Sequence, residues 1–496
     1  MLYLSTDSAR YAMLRQLCFI LLLLTQSVVG AQATIESANC AAQPPATKAS
    51  CGYVSLPQDY ADPAAGRVEI YYTQIHSRGD KPDPLVYLVG GPGSSGTQLL
   101  PVSYEKYLRA FADKRDIIII DQRGTGLSTP SLYCREALFR LGDILESSHQ
   151  EHAELLLEIL TDCQRRLARQ GLRFDTFHSE NNARDVVNAL LALGYERWNL
   201  VGVSYGSRLA LTMMRDFPQY LRSVILDSVY PPQADIYVDA YYNGERALAV
   251  LFEACAASRG CNNRYPNLRA TFYHVYAQLN EMPLLVEYKP PDSRLLTIEI
   301  SGYRLYDWVF SWLYEVDAIR MIPKLVYELS RGRTRSAAPM GALFEQSMAS
   351  LSLGMHYSVQ CQEEYGAAQR DYAELVAAHP HLAGFLAYPV EGPTTLPQLC
   401  ELWGAAARDD SANQPVRSDV PTLLLSGNYD PITPPDYAEM AAETLSSAYS
   451  YVLPHVGHAV LRSDECAVDI AVAFIKQPLT EPDSRCIASA QPMRFR

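Results

Sequence analysis

Nowhere in the 496 residues do lysine and arginine gather into a basic patch. The chain holds 42 of them against 55 acidic residues, for a formal net charge of −13. Nucleic-acid binding rests on neutralising phosphates, so this balance argues against that class of partner. No apolar run reaches the ~20 residues needed to span a bilayer. No internal repeat or low-complexity tract stands out. Cysteine and histidine never fall into zinc-site spacing, which leaves no metal implied. No GK[ST] follows the glycine-rich run after Leu85–Val89, so neither a nucleotide nor another organic cofactor is implied. What remains is a globular chain, 48% apolar and 20% charged, ordinary values for a protein with a sizeable core.

Arg10 and Arg15 precede the apolar CFILLLL (Cys18–Leu24), and TQSVVGAQA (Thr25–Ala33) follows. A basic start, a short apolar stretch and a small-residue end form the layout of a Sec-type signal peptide over residues 1–33. The expectation is export to the periplasm or the medium, with no membrane span left after cleavage; an uncleaved anchor is the alternative. Cysteine usage points the same way. Of 11 cysteines, setting Cys18 aside leaves Cys40, Cys51, Cys134, Cys163, Cys255, Cys261, Cys361, Cys400, Cys466 and Cys486. An even number in an exported chain suggests disulfides. They fall into five local couples, and nearest-neighbour pairing is the expectation, although connectivity does not follow from sequence.

The length suits one large domain carrying an insertion. Residues 34–80 read as an opening β meander. Short apolar runs follow that suit strands buried on both faces of a parallel sheet: LVYLV (Leu85–Val89), IIII (Ile117–Ile120), WNLVGV (Trp198–Val203), SVIL (Ser223–Leu226), TLLLS (Thr422–Ser426) and YSYVL (Tyr449–Leu453). Helix-like segments such as NNARDVVNALLALG (Asn181–Gly194) alternate with them, which predicts an α/β fold with right-handed crossovers. From about Pro232 to Val416 strand signals are scarce and helix-like, aromatic-rich segments dominate. The reading is a core over 34–231, a mainly helical cap insertion over 232–416 and a second core part over 417–496. A tandem helical domain is disfavoured, because the strands that resume need the earlier ones as partners.

In NLVGVSYGSRLAL (Asn199–Leu211) a serine sits between two glycines, where a strand-like run meets a helix-like one. Gly202-x-Ser204-x-Gly206 matches a nucleophile elbow, in which a sharp strand-to-helix turn strains the serine backbone and demands small neighbours. The turn would present the Ser204 hydroxyl at a sheet edge, at the start of a helix. Such a hydroxyl needs a base, and the base needs an orienting carboxylate. In this fold the order is serine, acid, histidine. LLLSGNYDPITP offers Asp430 and VLPHVGHAV offers His458, each just past a strand. Asp227, at the end of SVIL, and His455, three residues before His458, are the competitors. An oxyanion hole would use the Tyr205 N–H and a second N–H from Gly90 or Gly91 in LVYLVGGPGSSG.

With these residues in hand, the chain resembles the prolyl aminopeptidases among α/β-hydrolases, and more closely the exported tripeptidyl-aminopeptidase-like (TAP-like) branch. The likeness rests on GGPGSS (Gly90–Ser95), DQRGTGLS (Asp121–Ser128), GVSYGSRLAL (Gly202–Leu211), LLLSGNYDPITP (Leu423–Pro434) and GHAV (Gly457–Val460). Within the insert, Cys255-x5-Cys261 and VQCQEEYG…CELWG (Val359–Gly404) add to it, as does the closing Cys466…Cys486 pair. The resemblance implies an α/β-hydrolase core, mostly parallel, under a helical cap. It further implies a serine exopeptidase whose cap carboxylates hold the α-ammonium of a peptide substrate. Glu363 and Glu364 are the candidates for that contact. Arg123, in DQRG, reads as a donor bracing loops. Prolyl aminopeptidases carry His before GGPG, whereas Val89 stands here, which weakens strict prolyl specificity.

The leading expectation is an exported serine exopeptidase that cleaves aminoacyl to tripeptidyl units from free peptide N-termini through an acyl-enzyme. Ester hydrolysis by the same triad is the second reading. A hydrolase fold that only binds is the third, and it sits poorly with an intact triad. The sequence leaves the number of residues released and the oligomeric state open.

Overall fold

A computed structural model describes residues 33–289, 294–337, 350–364, 377, 395–404 and 410–496. The proposed signal segment, except for residue 33, lies outside them. Among the described residues, eleven strands run in chain order as β1 (Thr34–Ala38), β2 (Lys48–Pro57), β3 (Arg67–His76), β4 (Leu85–Leu88), β5 (Ile117–Ile120), β6 (Trp198–Val203), β7 (Leu221–Asp227), β8 (Leu284–Tyr288), β9 (Leu296–Ile300), β10 (Thr422–Gly427) and β11 (Ala448–Leu453). The helices that matter below are α1 (His149–Ala168), α2 (Ser179–Ala192), α3 (Tyr205–Asp216), α4 (Ile236–Ala257), α5 (Gly302–Trp312) and α6 (Leu353–Glu363).

Nine strands form one sheet in the order β1-β2-β3-β5-β4-β6-β7-β10-β11. The first three are an antiparallel meander, joined antiparallel to β5, and every later pairing is parallel. The period-two alternation of side chains splits the parallel strands between two cores. Val86, Leu88, Ile118, Ile120, Leu200 and Leu424 face one side, with α2 and α3 against them. Leu85, Tyr87, Ile117, Ile119, Val201 and Leu425 face the other, against helices that include Glu465–Lys476. This explains why β4, β5 and β6 read as uninterrupted apolar runs: every residue in them is buried. The chain leaves β4 for β5 on one side and returns to β6 on the other. The crevice beyond the carboxyl ends of β4 and β6 is therefore the topological switch point, where open α/β sheets hold ligands.

Between Asp227 and Thr422 the large sheet gains no strand among the described residues. The interval carries α4, α5 and further helices around an apolar cluster that includes Leu248, Phe272, Trp308 and Leu325, while α6 packs in a separate cluster with Leu132, Phe174 and Tyr205. It also carries an antiparallel β8–β9 pair that the sequence reading did not separate from the helical background. LLVEY and LTIEI bury alternate residues, and two five-residue strands are short beside their long helical surroundings.

All five expected cysteine couples are disulfides: Cys40–Cys51, Cys134–Cys163, Cys255–Cys261, Cys361–Cys400 and Cys466–Cys486. No described helix is long and apolar enough to cross a membrane. Arg123 is fully buried and braces three segments: it is paired with Asp185 at 2.7 Å and donates to the carbonyls of Gln58 and Thr176.

Candidate active site

Ser204 links β6 to α3 with φ 57° and ψ −126°, a strained backbone for a non-glycine residue. Both flanking glycines are sterically required. A Cβ on Gly202 would overlap the carbonyl oxygen of Gly206, and one on Gly206 would overlap that of Leu88. The bend is held from inside by Ser207, whose N–H and Oγ donate to the Ser204 carbonyl at 2.7 and 2.6 Å. From the neighbouring strand, the Asp227 carbonyl accepts the Ser204 N–H at 3.0 Å.

Asp430 follows β10 and His458 follows β11, and the structure joins them. His458 Nδ1 lies 2.8 Å from Asp430 Oδ2. The carboxylate is fully buried and also accepts the N–H groups of Ile432 and Thr433 at 3.0 and 2.9 Å and the Thr433 hydroxyl at 2.7 Å. Burial alone would raise its pKa, but the adjacent His458 and these donors outweigh that and hold it below the usual carboxylate range. An ionised acid on Nδ1 fixes the ring so that Nε2 is the basic nitrogen. Among the described residues no hydrogen bond joins the Ser204 hydroxyl to the His458 ring, a contact that in free hydrolases often closes only with substrate.

Asp227 does not compete for the imidazole. Its carboxylate accepts the N–H groups of Val460 and Leu461 at 2.7 and 3.0 Å, while Ser228 Oγ accepts that of Ala459 at 2.8 Å. Burial pushes the Asp227 carboxyl up to about 6 despite those two donors. Since the Asp227 carbonyl also holds Ser204, this one residue ties the histidine loop to the nucleophile turn. No hydrogen bond or ion pair links His455 to Asp430 among the described residues.

The expected oxyanion donors surround the nucleophile. Tyr205 is the first residue of α3, where a backbone N–H has no partner within the helix. On the β4 side, a Cβ on Gly90 would stand 2.8 Å from Ser204 Cβ and 3.2 Å from its Oγ, so only a bare backbone fits there. Gly91 adopts φ 112°, a conformation open to glycine.

A cavity of about 520 Å³ opens beside these loops, reaching Gly91 on the oxyanion side and Ile432 on the acid side. Its wall is largely aromatic and aliphatic, including Tyr237, Tyr306, Trp308, Phe310 and Tyr314. The Tyr314 ring lies 4.8 Å from the His458 ring, and the Tyr314 carbonyl accepts the His458 N–H at 3.0 Å.

Glu363 and Glu364 do not reach this cavity, so the expectation placed on them needs correction. Both are buried beside Arg208 of α3. Glu363 pairs with Arg208 Nε at 3.1 Å and accepts the Ser179 N–H and hydroxyl. Glu364 pairs with Arg208 Nη1 at 3.1 Å and accepts the Tyr230 hydroxyl. Two carboxylates sharing one buried guanidinium form an internal cluster away from the cavity.

The cavity's carboxylate is Asp307, on α5. It is exposed to the cavity, and desolvation by the protein around it pushes its carboxyl up to about 7 against the pull of Arg304. Among the described residues none forms a hydrogen bond or ion pair with it. Arg304 is turned to the Leu145 and Ser147 carbonyls at 2.7 and 2.6 Å. His152, which also lines the cavity, is driven down to about 4 by burial and by Arg304, so it stays neutral near pH 7. Sequence reasoning missed Asp307 because it sits in a helix-like aromatic run, YRLYDWVFSW. Its one signal was a polar stripe at helical spacing, Arg304, Asp307 and Ser311, on an otherwise aromatic and aliphatic helix. Thr433 and Tyr314 were missed as well: the first lay unremarked inside the acid's own DPIT segment, and the second acts only through the fold.

A family model described as alpha/beta hydrolase fold matches residues 83–250, and one described as TAP-like protein matches residues 388–486. The serine protease Hip1 of Mycobacterium tuberculosis is 23% identical over 471 residues, 90% of each chain. A tripeptidyl aminopeptidase of Streptomyces lividans is 30% identical over 218 residues, 41% of this chain and 40% of that one. Among solved structures, the proline iminopeptidase of Mycobacterium smegmatis superposes with a TM-score of 0.41 at 17% identity, covering 86% of this chain and 98% of the other.

Proposed function

The chain belongs to the TAP-like α/β-hydrolases and is a serine hydrolase; from that premise we propose that it is an exported exopeptidase acting on free peptide N-termini. Ser204 Oγ attacks the scissile carbonyl while His458 Nε2 takes its proton and then delivers it to the leaving amine. Asp430 holds the imidazole tautomer, with Thr433 bonded to the same carboxylate oxygen. The N–H groups of Tyr205 and of Gly90 or Gly91 receive the oxyanion. Water then resolves the acyl-enzyme by the same proton path. The relatives named as a serine protease and a tripeptidyl aminopeptidase support peptides as the substrate class. The five disulfides support export.

The observation that carries the exopeptidase reading is Asp307, a carboxylate in a largely apolar cavity with no hydrogen bond or ion pair among the described residues. An α-ammonium pairs with such an acid, whereas a blocked terminus would leave it desolvated without a partner. This moves the ammonium contact from Glu363 and Glu364 to Asp307. Helix α5 also supplies a length scale. Seven residues separate Asp307 from Tyr314, which touches His458, and at ~1.5 Å per residue that is about 10 Å. At ~3.4 Å per extended residue the span suits roughly three residues between ammonium and scissile carbonyl. The cavity-lining residues of α4 and α5 then form the cap over the N-terminal unit.

The test is a panel of mono-, di- and trialanyl anilides, free and N-acetylated, beside p-nitrophenyl esters. The expected result is preference for the free trialanyl anilide, with acetylation lowering kcat/KM at least tenfold. The largely apolar cavity wall favours one second reading, hydrolysis of a carboxylic ester by the same triad, and turnover of the esters alone would establish it.

A further inference from the structure

The residues displaced from substrate binding raise a question of their own: why does the fold bury two carboxylates on one arginine directly behind the nucleophile? Removing charges from water is costly, and packed apolar residues often do as well for stability. The answer lies in what α6 touches at its two ends.

At its start, α6 grips the loop after β4. The Ser352 N–H donates to the Gly93 carbonyl at 2.9 Å, Leu351 bridges to Ser94, and His356 Nδ1 lies 3.1 Å from the Pro92 carbonyl. The fit is close, since a Cβ on Gly93 would stand 2.6 Å from the Ser352 carbonyl. At its end, Glu363 and Glu364 hold Arg208, one turn beyond Ser204 on α3. Glu363 also accepts the Ser179 hydroxyl at 2.8 Å, and that hydroxyl meets the Tyr205 hydroxyl at 2.8 Å. Asn413 closes the cluster from outside, accepting from Arg208 at 2.6 Å and donating to the Glu363 carbonyl at 2.6 Å. One helix thus reaches from the loop that offers Gly90 and Gly91 to the helix that offers Tyr205.

We propose that α6 is a strut setting the spacing of the two halves of the oxyanion hole, with Arg208, Glu363 and Glu364 as its positioning residues. This rests on the assignment of Ser204 and its oxyanion donors made above. Oxyanion donors act on the transition state and not on the bound substrate, so a shift of a few tenths of an ångström between them lowers kcat and spares KM.

The experiment compares wild type with Glu363→Gln, Arg208→Lys and Asn413→Ala, reading kcat and KM on one peptide anilide and one ester, the rate of labelling by a fluorophosphonate, and the melting temperature. Glu363→Gln faces Arg208 Nε with an amide. The expected result for it and for Arg208→Lys is a fall in kcat of about ten- to a hundredfold on both substrates. KM should stay within about twofold, and labelling should slow by the same factor as kcat. Asn413→Ala, half-buried and remote from the reacting atoms, guards against loss of folding and should lower kcat severalfold with little change in melting. Folded variants that melt earlier but keep wild-type kcat and labelling overturn the strut, leaving the cluster as mere scaffolding. Wild-type protein that the fluorophosphonate does not label overturns the serine-hydrolase assignment itself, and the strut with it.

Discussion

An acid surrounded by protein groups can titrate in an unusual range even where it meets water, and Asp307 shows the consequence. Its carboxyl is pushed up to about 7, while a peptide α-amino group ordinarily loses its proton near 7.7–8.0. Pairing needs the first deprotonated and the second protonated. Below about pH 7 the acid is neutral, and above about pH 8 the amine is. Activity on free N-termini should therefore peak in a narrow band between the two, as kcat/KM plotted against pH will show. An ester lacking the amine should keep its rate on the alkaline side. Asp307→Asn should raise KM for free peptides about ten- to a hundredfold while leaving ester turnover near wild type. At the triad, Asp430→Asn should cost about 10⁴ in kcat by releasing the wrong tautomer of His458, and Ser204→Ala should abolish turnover and labelling with melting unchanged. Of these residues, the sequence singled out Ser204, Asp430 and His458, because each sits in a turn whose local chemistry is distinctive, and the structure joins the last two. Asp307 was not, because helical context hides a functional acid among ordinary surface acids until the cavity it faces is known.

At the scale of elements, the turn from β6 to α3 carries the most information per residue. Gly202 and Gly206 admit no Cβ, and a methyl group on Gly206 would meet the Leu88 backbone of the adjacent strand rather than a movable side chain. Gly206→Ala should thus destabilise by several kcal/mol and cut soluble yield, measurable by denaturant unfolding, where an ordinary helical Gly→Ala would stabilise by ~1 kcal/mol. The apolar runs expected for β4, β5, β6, β7, β10 and β11 fell within a residue or two of their observed bounds, but β11, expected to be buried on both faces, is an edge strand with only Leu453 buried. The β8–β9 pair escaped, as two short strands beside long helices must. Which acid serves His458 was likewise a matter of elements. Asp227 and Asp430 both end parallel strands, and the choice fell to the loops beyond them. The loop after β7 turns the Asp227 carboxylate toward Val460 and Leu461, while the one after β10 brings Asp430 to the ring.

For the molecule as a whole, the question is how a long insertion is held in register with the sheet. Arg246 of α4 donates to the carbonyls of Asn428 and Asp430 at 2.9 and 2.7 Å, and Tyr314 grips His458, so the insertion touches both the acid and the base. Cys361–Cys400 fastens α6, closing a separation of 39 residues. Loop-closure entropy puts such a crosslink at about 4 kcal/mol. Replacing both cysteines by serine should lower unfolding stability by up to that amount. If the strut holds, the change should also reduce kcat more than it changes KM, as steady-state kinetics on the folded fraction will show.

The sequence by itself determined the α/β order of elements, the glycine-flanked turn at Ser204 and the order of Ser204, Asp430 and His458 along the chain, and it suggested the five cysteine couples. Each of these is written in local spacing: strand period, turn sterics, or near neighbours along the chain. Tertiary structure alone decided that Asp227 anchors a loop and does not orient the base, that Glu363 and Glu364 close on Arg208, and that Asp307 faces the cavity. Those three outcomes depend on which way a carboxylate points and on what stands opposite it. Both are set by partners tens to hundreds of residues away, and the local sequence around an aspartate or glutamate carries no record of them.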